Sequence, residues 1–276
     1  MRCKPLLLIA LVPMLATRAS AQRLWLPADT TRNIGFEVGK GFFKSTSYQP
    51  HIDAASFTVT VQGRVPVNAK VAVTAALPFA RISQSFTDVN FSPVPGDQTA
   101  FGNPWLGVEV AAEPELVLEA GFRPGIASRD KDAALGLGVY DDFDRFEAWV
   151  PDFSSARAMA HIGRVPDQGA FVTGIFGGTV FFPGSNVGGN PKIYANYGVR
   201  GGFSSGGVLG SVTFTGRYYI SGTGGTFADR SIHQLGFSLE RARGAFRPNA
   251  SVRVFLKEAI RSEVSPVVTL GASFVL

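Results

Sequence analysis

The chain has 276 residues, 45% of them hydrophobic and only 17% charged, with 32 glycines and one cysteine. That length suits one large β domain or two small ones, and the glycine content favours short sheet segments with tight turns over helices. No stretch beyond the first residues is long and apolar enough for a membrane-spanning helix, so a membrane-embedded form of this chain would be a barrel.

Residues 1–21 read as a secretory leader. Arg2 and Lys4 precede an apolar core over Pro5–Ala16, and Ala19-Ser20-Ala21 offers a small-x-small cleavage site before Gln22. Cleavage removes Arg2, Lys4 and Arg18 and no acid, which lowers the formal net charge from +5 to +2 and takes away the main support for a nucleic-acid partner. Cys3 leaves as well. It stands before the apolar core and not at the cleavage site, which argues against a lipid anchor, and the mature chain has no disulfide to rely on.

After a periplasmic lead-in over residues 22–32, with Trp25 and Leu26 near the interface, alternation of period two begins and hardly stops. In 33–43, Ile34, Phe36 and Val38 oppose Glu37. In 55–66, Phe57, Val59, Val61 and Val65 oppose Thr58, Thr60, Gln62 and Arg64, and 70–82 follows after a short turn as the second arm of a hairpin. The same unit recurs in 100–112 and 115–126, 154–165 and 169–182, 192–203 and 207–220, and 231–241 and 248–257. The last strand, 264–276, sets Val268, Leu270, Ala272, Phe274 and Leu276 against Thr269, Gly271 and Ser273. This predicts about twelve strands.

Loop lengths alternate too. Short turns fall at 67–69, 113–114, 166–168, 204–206 and 242–247, and longer connections at 44–54, 83–99, 127–153, 183–191, 221–230 and 258–263. An even number of antiparallel strands, with short turns on the side of both termini and long loops opposite, is the pattern of an up-and-down transmembrane β-barrel occupying 33–276 as one domain. Phe57, Phe79, Phe101, Phe122, Phe182 and Tyr218 gather at the long-loop ends, where an interfacial girdle belongs. Pro78, Pro104 and Pro266 are expected near strand ends, where a missing donor is tolerated.

One face of every strand is polar. It carries Glu37, Arg64, Glu109, Glu119, Arg123, Arg200, Arg217, Glu240 and Arg253, together with Gln62, Arg157, Asn196 and Gln234. Two readings are open: a ladder of ion pairs that shuts the lumen, or a narrow channel whose Arg64, Arg123, Arg200, Arg217 and Arg253 favour anionic or polar solutes. The long loop adds a second candidate. Within 135–153, Val139, Phe143, Phe146 and Val150 recur at helical steps beside Asp141, Asp142, Asp144 and Glu147, predicting a short amphipathic helix that packs on the rim or forms a constriction through Asp141, Asp142, Phe143 and Phe146. The acidic run lacks the glycine and spacing of a calcium loop.

No zinc, phosphate-loop or dinucleotide spacing occurs, so neither a metal nor a cofactor is expected, and His51, His161 and His233 form no evident triad. The chain is read as a non-enzyme. Ser231-Ile232-His233 does resemble, in reversed order, the His and Ser two apart on an outward strand of outer-membrane phospholipases; the plainer reading is a histidine packed at the membrane interface.

Two resemblances sharpen these expectations. An apolar last strand with Phe274 and Leu276 near the carboxylate resembles the C-terminal signal of bacterial outer-membrane β-barrels, which implies an outer-membrane location, lipid around the barrel and recognition by the barrel-assembly machinery. FGNPWLGVEV over 101–110, followed by ELVLEAGFRPG, resembles a segment of outer-membrane barrels of the phenol-degradation meta-pathway transporter type, in which a Gly-Asn/Asp-Pro-x-Leu-Gly run opens a strand in mid-chain. It covers about a tenth of the chain and implies a barrel that moves small solutes, hydrophobic ones among them.

Overall fold

The computed structural model describes residues 32–45, 52–86, 97–185 and 187–276. The leader, the lead-in apart from Arg32, and His51 lie outside the described residues.

Thirteen strands among the described residues form one antiparallel sheet. They are β1 (Asn33–Ser45), β2 (Ile52–Pro66), β3 (Val71–Phe86), β4 (Gln98–Phe101), β5 (Trp105–Glu113), β6 (Leu116–Arg123), β7 (Phe153–Ile162), β8 (Gly169–Pro183), β9 (Lys192–Ser205), β10 (Val208–Tyr219), β11 (Ser231–Arg241), β12 (Phe246–Phe255) and β13 (Val267–Val275). Each pairs with the next except that β4 and β5 both pair with β3, and β1 pairs with both β2 and β13, from Asn33 opposite Val275 to Lys40 opposite Val268, so the sheet closes on itself. Closure pairs β1 and β13, which would otherwise be open edges, the one sheet solution compatible with hydrocarbon; among the described strands the short β4 alone has a strand partner on one side only.

The ring is twelve strands around, as the sequence predicts, because β4 and β5 share one place in it. Both pair with β3, one beyond the other. Between the pairs Ala76–Trp105 and Phe79–Phe101, β3 spends two residues, Leu77 and Pro78, while the opposite side spends three, Gly102, Asn103 and Pro104. The extra residue is a β-bulge, and it reverses the facing of the strand. Phe101 therefore points outward at 59% exposure, whereas Trp105, four residues on, is buried inside. Pro78 differs from expectation: it stands in the middle of β3 and not near its end. It is tolerated because the residue it faces belongs to the bulge, and Gly102 N donates to its carbonyl at 3.0 Å.

Sidedness is inverted relative to a water-soluble domain. Ile34, Phe36, Leu77, Leu106, Phe176 and Leu270 are exposed on the outside, while Glu37, Thr58, Thr60, Arg64, Arg123 and Arg200 are buried within. A soluble chain almost never buries so many charges or bares so many large apolar groups. The apolar exterior is continuous around the ring, including β13, where Val268, Leu270 and Phe274 face out.

Five helical pieces among the described residues decorate the long-loop end or enter from it: a 3₁₀ turn over Arg129–Lys131, α1 (Asp132–Asp141), a 3₁₀ segment over Phe143–Trp149, α2 (Phe227–Arg230) and α3 (Glu258–Arg261). The single amphipathic helix expected over 135–153 is thus two shorter pieces. They are separated at Asp142, whose φ of −138° and ψ of 58° leave the helical region. The break turns the second piece so that its carboxylates reach several walls instead of one face.

Candidate functional site

The segment between β6 and β7 lies inside the barrel, not on its rim. Its acidic run is met by the inner wall residue by residue. Arg217 of β10 binds Glu147 Oε1 at 2.6 Å and the carbonyl of Asp144 at 2.7 Å. Arg253 of β12 reaches Asp144 Oδ2 at 3.0 Å and the carbonyl of Asp141 at 2.7 Å. Ser56 of β2 donates to Asp141 Oδ2 at 2.6 Å, and Thr179 of β8 to Glu147 Oε1 at 3.0 Å. In the other direction Arg145 pairs with Glu37 of β1, with Asp142 at 2.8 Å, and with Gln62 of β2 at 3.3 Å. The expected constriction residues Asp141, Asp142, Phe143 and Phe146 are therefore all brought into the lumen. Phe143 packs edge-on to Phe255, Phe146 packs against Phe181 and Tyr194, and both rings lie under the Arg217 guanidinium at 5.4 and 5.1 Å.

Asn103 holds both ends of this segment. Its Oδ1 accepts from Ile126 N and Ala127 N, each at 2.9 Å, where the segment departs. Its Nδ2 donates to the carbonyls of Glu147, Val150 and Phe153 at 3.2, 2.8 and 3.3 Å, where it returns. The backbone joins in, with Asn103 N on Ala148 O at 2.6 Å and Arg123 Nη1 on Asn103 O at 2.7 Å. The bulge makes this reach possible, because it frees Asn103 from the ladder. Gly102 beside it is required by close approach: a β-carbon there would meet Ala148 O, Pro78 and the Trp149 ring. The Gly-Asn-Pro run that carried the family resemblance is thus the anchor of the inserted segment. Asn103 and Arg145 were missed in the sequence because nothing in a period-two pattern marks them.

All nine pore-lining candidates, Glu37, Arg64, Glu109, Glu119, Arg123, Arg200, Arg217, Glu240 and Arg253, occupy the inner face. Several are paired across the wall: Arg64 with Glu109 at 2.7 Å, Arg200 with Glu240 at 3.7 Å, and Arg157 with Glu119. The wall's buried ions are seven arginines, these five with Arg157 and Arg247, against four glutamates, Glu37, Glu109, Glu119 and Glu240. Asp141–Glu147 adds four acids and one arginine. The surplus of three positive charges on the wall is matched by a surplus of three negative charges on the segment when all four of its acids are ionised. Beside the segment a cavity of about 530 Å³, counting the solvent at its mouth, is lined by Thr213, Thr215, Gln234, Ser251, Arg253 and Asp144.

Two carboxyls of the segment respond oppositely to burial. Burial works against ionisation of Glu147, but Arg217, Arg157 and Arg123 overcome it and hold the group at about 2. For Asp141 burial prevails over the Ser56 hydrogen bond and Arg253, and the carboxyl is pushed up to about 7. A carboxyl raised in the docked state weakens docking when it ionises, so the penalty is absent below about pH 4, grows through the interval up to 7, and is complete above it. At about 1.4 kcal/mol per pH unit, the cost to docking is on the order of 4 kcal/mol. Acrylamide should accordingly quench tryptophan emission more at pH 8 than at pH 5, since Trp149 is buried only while the segment is docked. In Asp141→Asn this pH dependence should vanish.

On the outside, His233 Nε2 lies 2.7 Å from Tyr197 Oη, and its ring stacks on Phe214 at 5.3 Å. Ser231, with the spacing that suggested a lipid hydrolase, is buried, and its Oγ has no hydrogen-bond partner among the described residues. His233 is thus engaged by a tyrosine in an aromatic cluster. No group of three or more His, Cys, Asp or Glu among the described residues is placed to hold a metal ion.

A closed, antiparallel, twelve-strand barrel with an apolar exterior, a charged interior and an inserted segment defines the class: the fold is that of bacterial outer-membrane β-barrels. Solved structures agree. The chain is similar to an outer membrane channel from Pseudomonas putida F1, with a TM-score of 0.57 and 12% identity over 91% of this chain and 98% of that one. It is similar to the translocator domain of autotransporter NalP from Neisseria meningitidis, at 0.57 and 12% over 92% and 91%, and to LpxR from Salmonella typhimurium, at 0.55 and 9% over 88% and 100%. No protein-family model matches the sequence, and no curated protein does.

Proposed function

We propose that the chain is a narrow channel for small polar solutes in the bacterial outer membrane, constricted by its own Asp141–Glu147 segment. The observation that carries this reading is a closed wall, greasy outside and charged within, whose lumen holds a tethered segment matched to it in charge. The fold shared with an outer membrane channel supports it. The surroundings follow from the same sidedness: lipid around the apolar face, and the barrel-assembly machinery as the reader of Phe274 and Leu276 on β13 and beyond it, both exposed outward. The cavity is lined by hydroxyls, amides and ions together with Phe237, so the preference for polar solutes rests on the buried charges of the wall and segment.

A second reading, a structural or adhesive barrel shut by its ion pairs, is favoured by the wall pairs Arg64–Glu109, Arg157–Glu119 and Arg200–Glu240. Planar-bilayer recording of the purified protein separates the two. Discrete conductance steps are expected of the channel, and current no greater than background, with and without the segment, would leave only the structural barrel.

A further inference from the structure

Trp105 stands on the inner wall in a slot cleared by Gly107 and Gly121, at either of which a β-carbon would overlap the indole. Its Nε1 donates to Thr74 Oγ1 at 3.0 Å. Two guanidiniums lie against its ring, Arg157 at 4.4 Å and Arg123 at 5.4 Å, which bounds their carbons to within 10 Å of each other. Both are more than nine-tenths buried. Arg157 spends Nη2 on Glu119 and Arg123 spends Nη1 on Asn103 O, but Arg157 Nε, Arg157 Nη1 and Arg123 Nε have no hydrogen-bond partner among the described residues. Buried donors without acceptors are costly, and three in one cluster call for an acceptor.

The protein already seats a carboxylate here. Glu147 binds Arg217 directly and is under the charge of Arg157 and Arg123 as well. It belongs to the inserted segment, not to the wall, and leaves with that segment. What would then be exposed are the three arginines that Glu147 answers to, two of them against the Trp105 indole, with Glu119 as the carboxylate on the wall beside them.

We propose that Arg123 and Arg157 on Trp105, with Arg217 on the far side of the Glu147 carboxylate, form a binding site for a small monocarboxylate solute, and that Glu147 occupies it from within until such a solute takes its place. Planar forks of N–H donors match a carboxylate in a way that an ammonium does not. A monocarboxylate replaces the one charge and the one carboxylate that Glu147 supplies when docked, and so leaves the charge of the cluster as the folded protein has it. This deepens the channel reading by naming its solute class and rests on that reading for access to the lumen.

The test is calorimetric titration of the refolded, detergent-solubilised protein with butyrate, and with butyramide as the uncharged analogue. Saturable butyrate binding without comparable butyramide binding is expected; equal binding of the two overturns the proposal without need of any variant. Arg157→Lys and Arg123→Lys keep the charge and lose the fork, and each should weaken butyrate about tenfold or more. Glu147→Gln should strengthen it, because the internal competitor is gone. A merely structural Glu147 gives no such gain, and unchanged affinity in both lysine variants sinks the site. Failure of the channel reading is read separately: butyrate bound with no conductance removes the channel and keeps the site, and conductance with no butyrate bound does the reverse.

Discussion

Replacing Asp141–Glu147 by a glycine-serine stretch of equal length is expected to raise single-channel conductance severalfold and to turn the pore toward anions. Two effects act together. The replaced stretch contains the side chains that bridge β1, β2, β8, β10 and β12 across the lumen, so its loss widens the path at the level that it crosses. It also contains the acids that neutralise the wall. Seven buried arginines then face four glutamates, and a lumen with low-dielectric walls focuses such a surplus onto passing ions. The reversal potential in a salt gradient at pH 8 reads the selectivity. It should be measured near 0.1 M salt, where the screening length of about 10 Å is comparable to a narrow pore. An unchanged record would mean that the segment is not the barrier. A cation preference would mean that the wall arginines are not those facing the solute.

The second large effect concerns Asn103. Asn103→Ala should release the inserted segment and leave the barrel standing. The substitution strips two backbone N–H groups, of Ile126 and Ala127, and three carbonyls, of Glu147, Val150 and Phe153, of their side-chain partner in a buried place. At about 1–3 kcal/mol for each buried group left unpaired, docking loses on the order of 5 kcal/mol or more. Trypsin cleavage after Arg145, buried while the segment is docked, should become rapid. The shift in gel mobility on boiling, which marks a closed barrel, should persist. Asn103→Asp is the instructive control: it still accepts from Ile126 and Ala127 but cannot donate to the three carbonyls, so release should be intermediate. Slow cleavage in both variants would assign the anchoring to the salt bridges alone.

Strands and their facing were legible because a closed barrel in lipid imposes a period of two with no exceptions at mid-depth. Glu37, Arg64, Glu109 and Arg253 could be assigned to the lumen from their alternation with Phe36, Val65, Val108 and Val252. The broken fourth crossing was half visible. Phe101 in the outer girdle and Trp105 in the lumen are four residues apart, and in an unbroken strand they would share a face. Only an inserted residue reconciles them, and Gly102-Asn103-Pro104 supplies it. The inserted segment was harder to read because an amphipathic pattern is the same whether the apolar side meets a rim or a lumen. Its destination was written instead in charge, as acids on 141–147 set against an excess of arginines on the strands. Asn103 left no such mark, since its partners are main-chain groups of any sequence.

The grip on Asp141–Glu147 is distributed around the whole circumference, from β1 to β12. Those partners face one another across a lumen only once the sheet has closed, so the seat is complete only when β13 has paired with β1. The segment can therefore take its place only after the ring is complete, which makes it the last part of the molecule to settle.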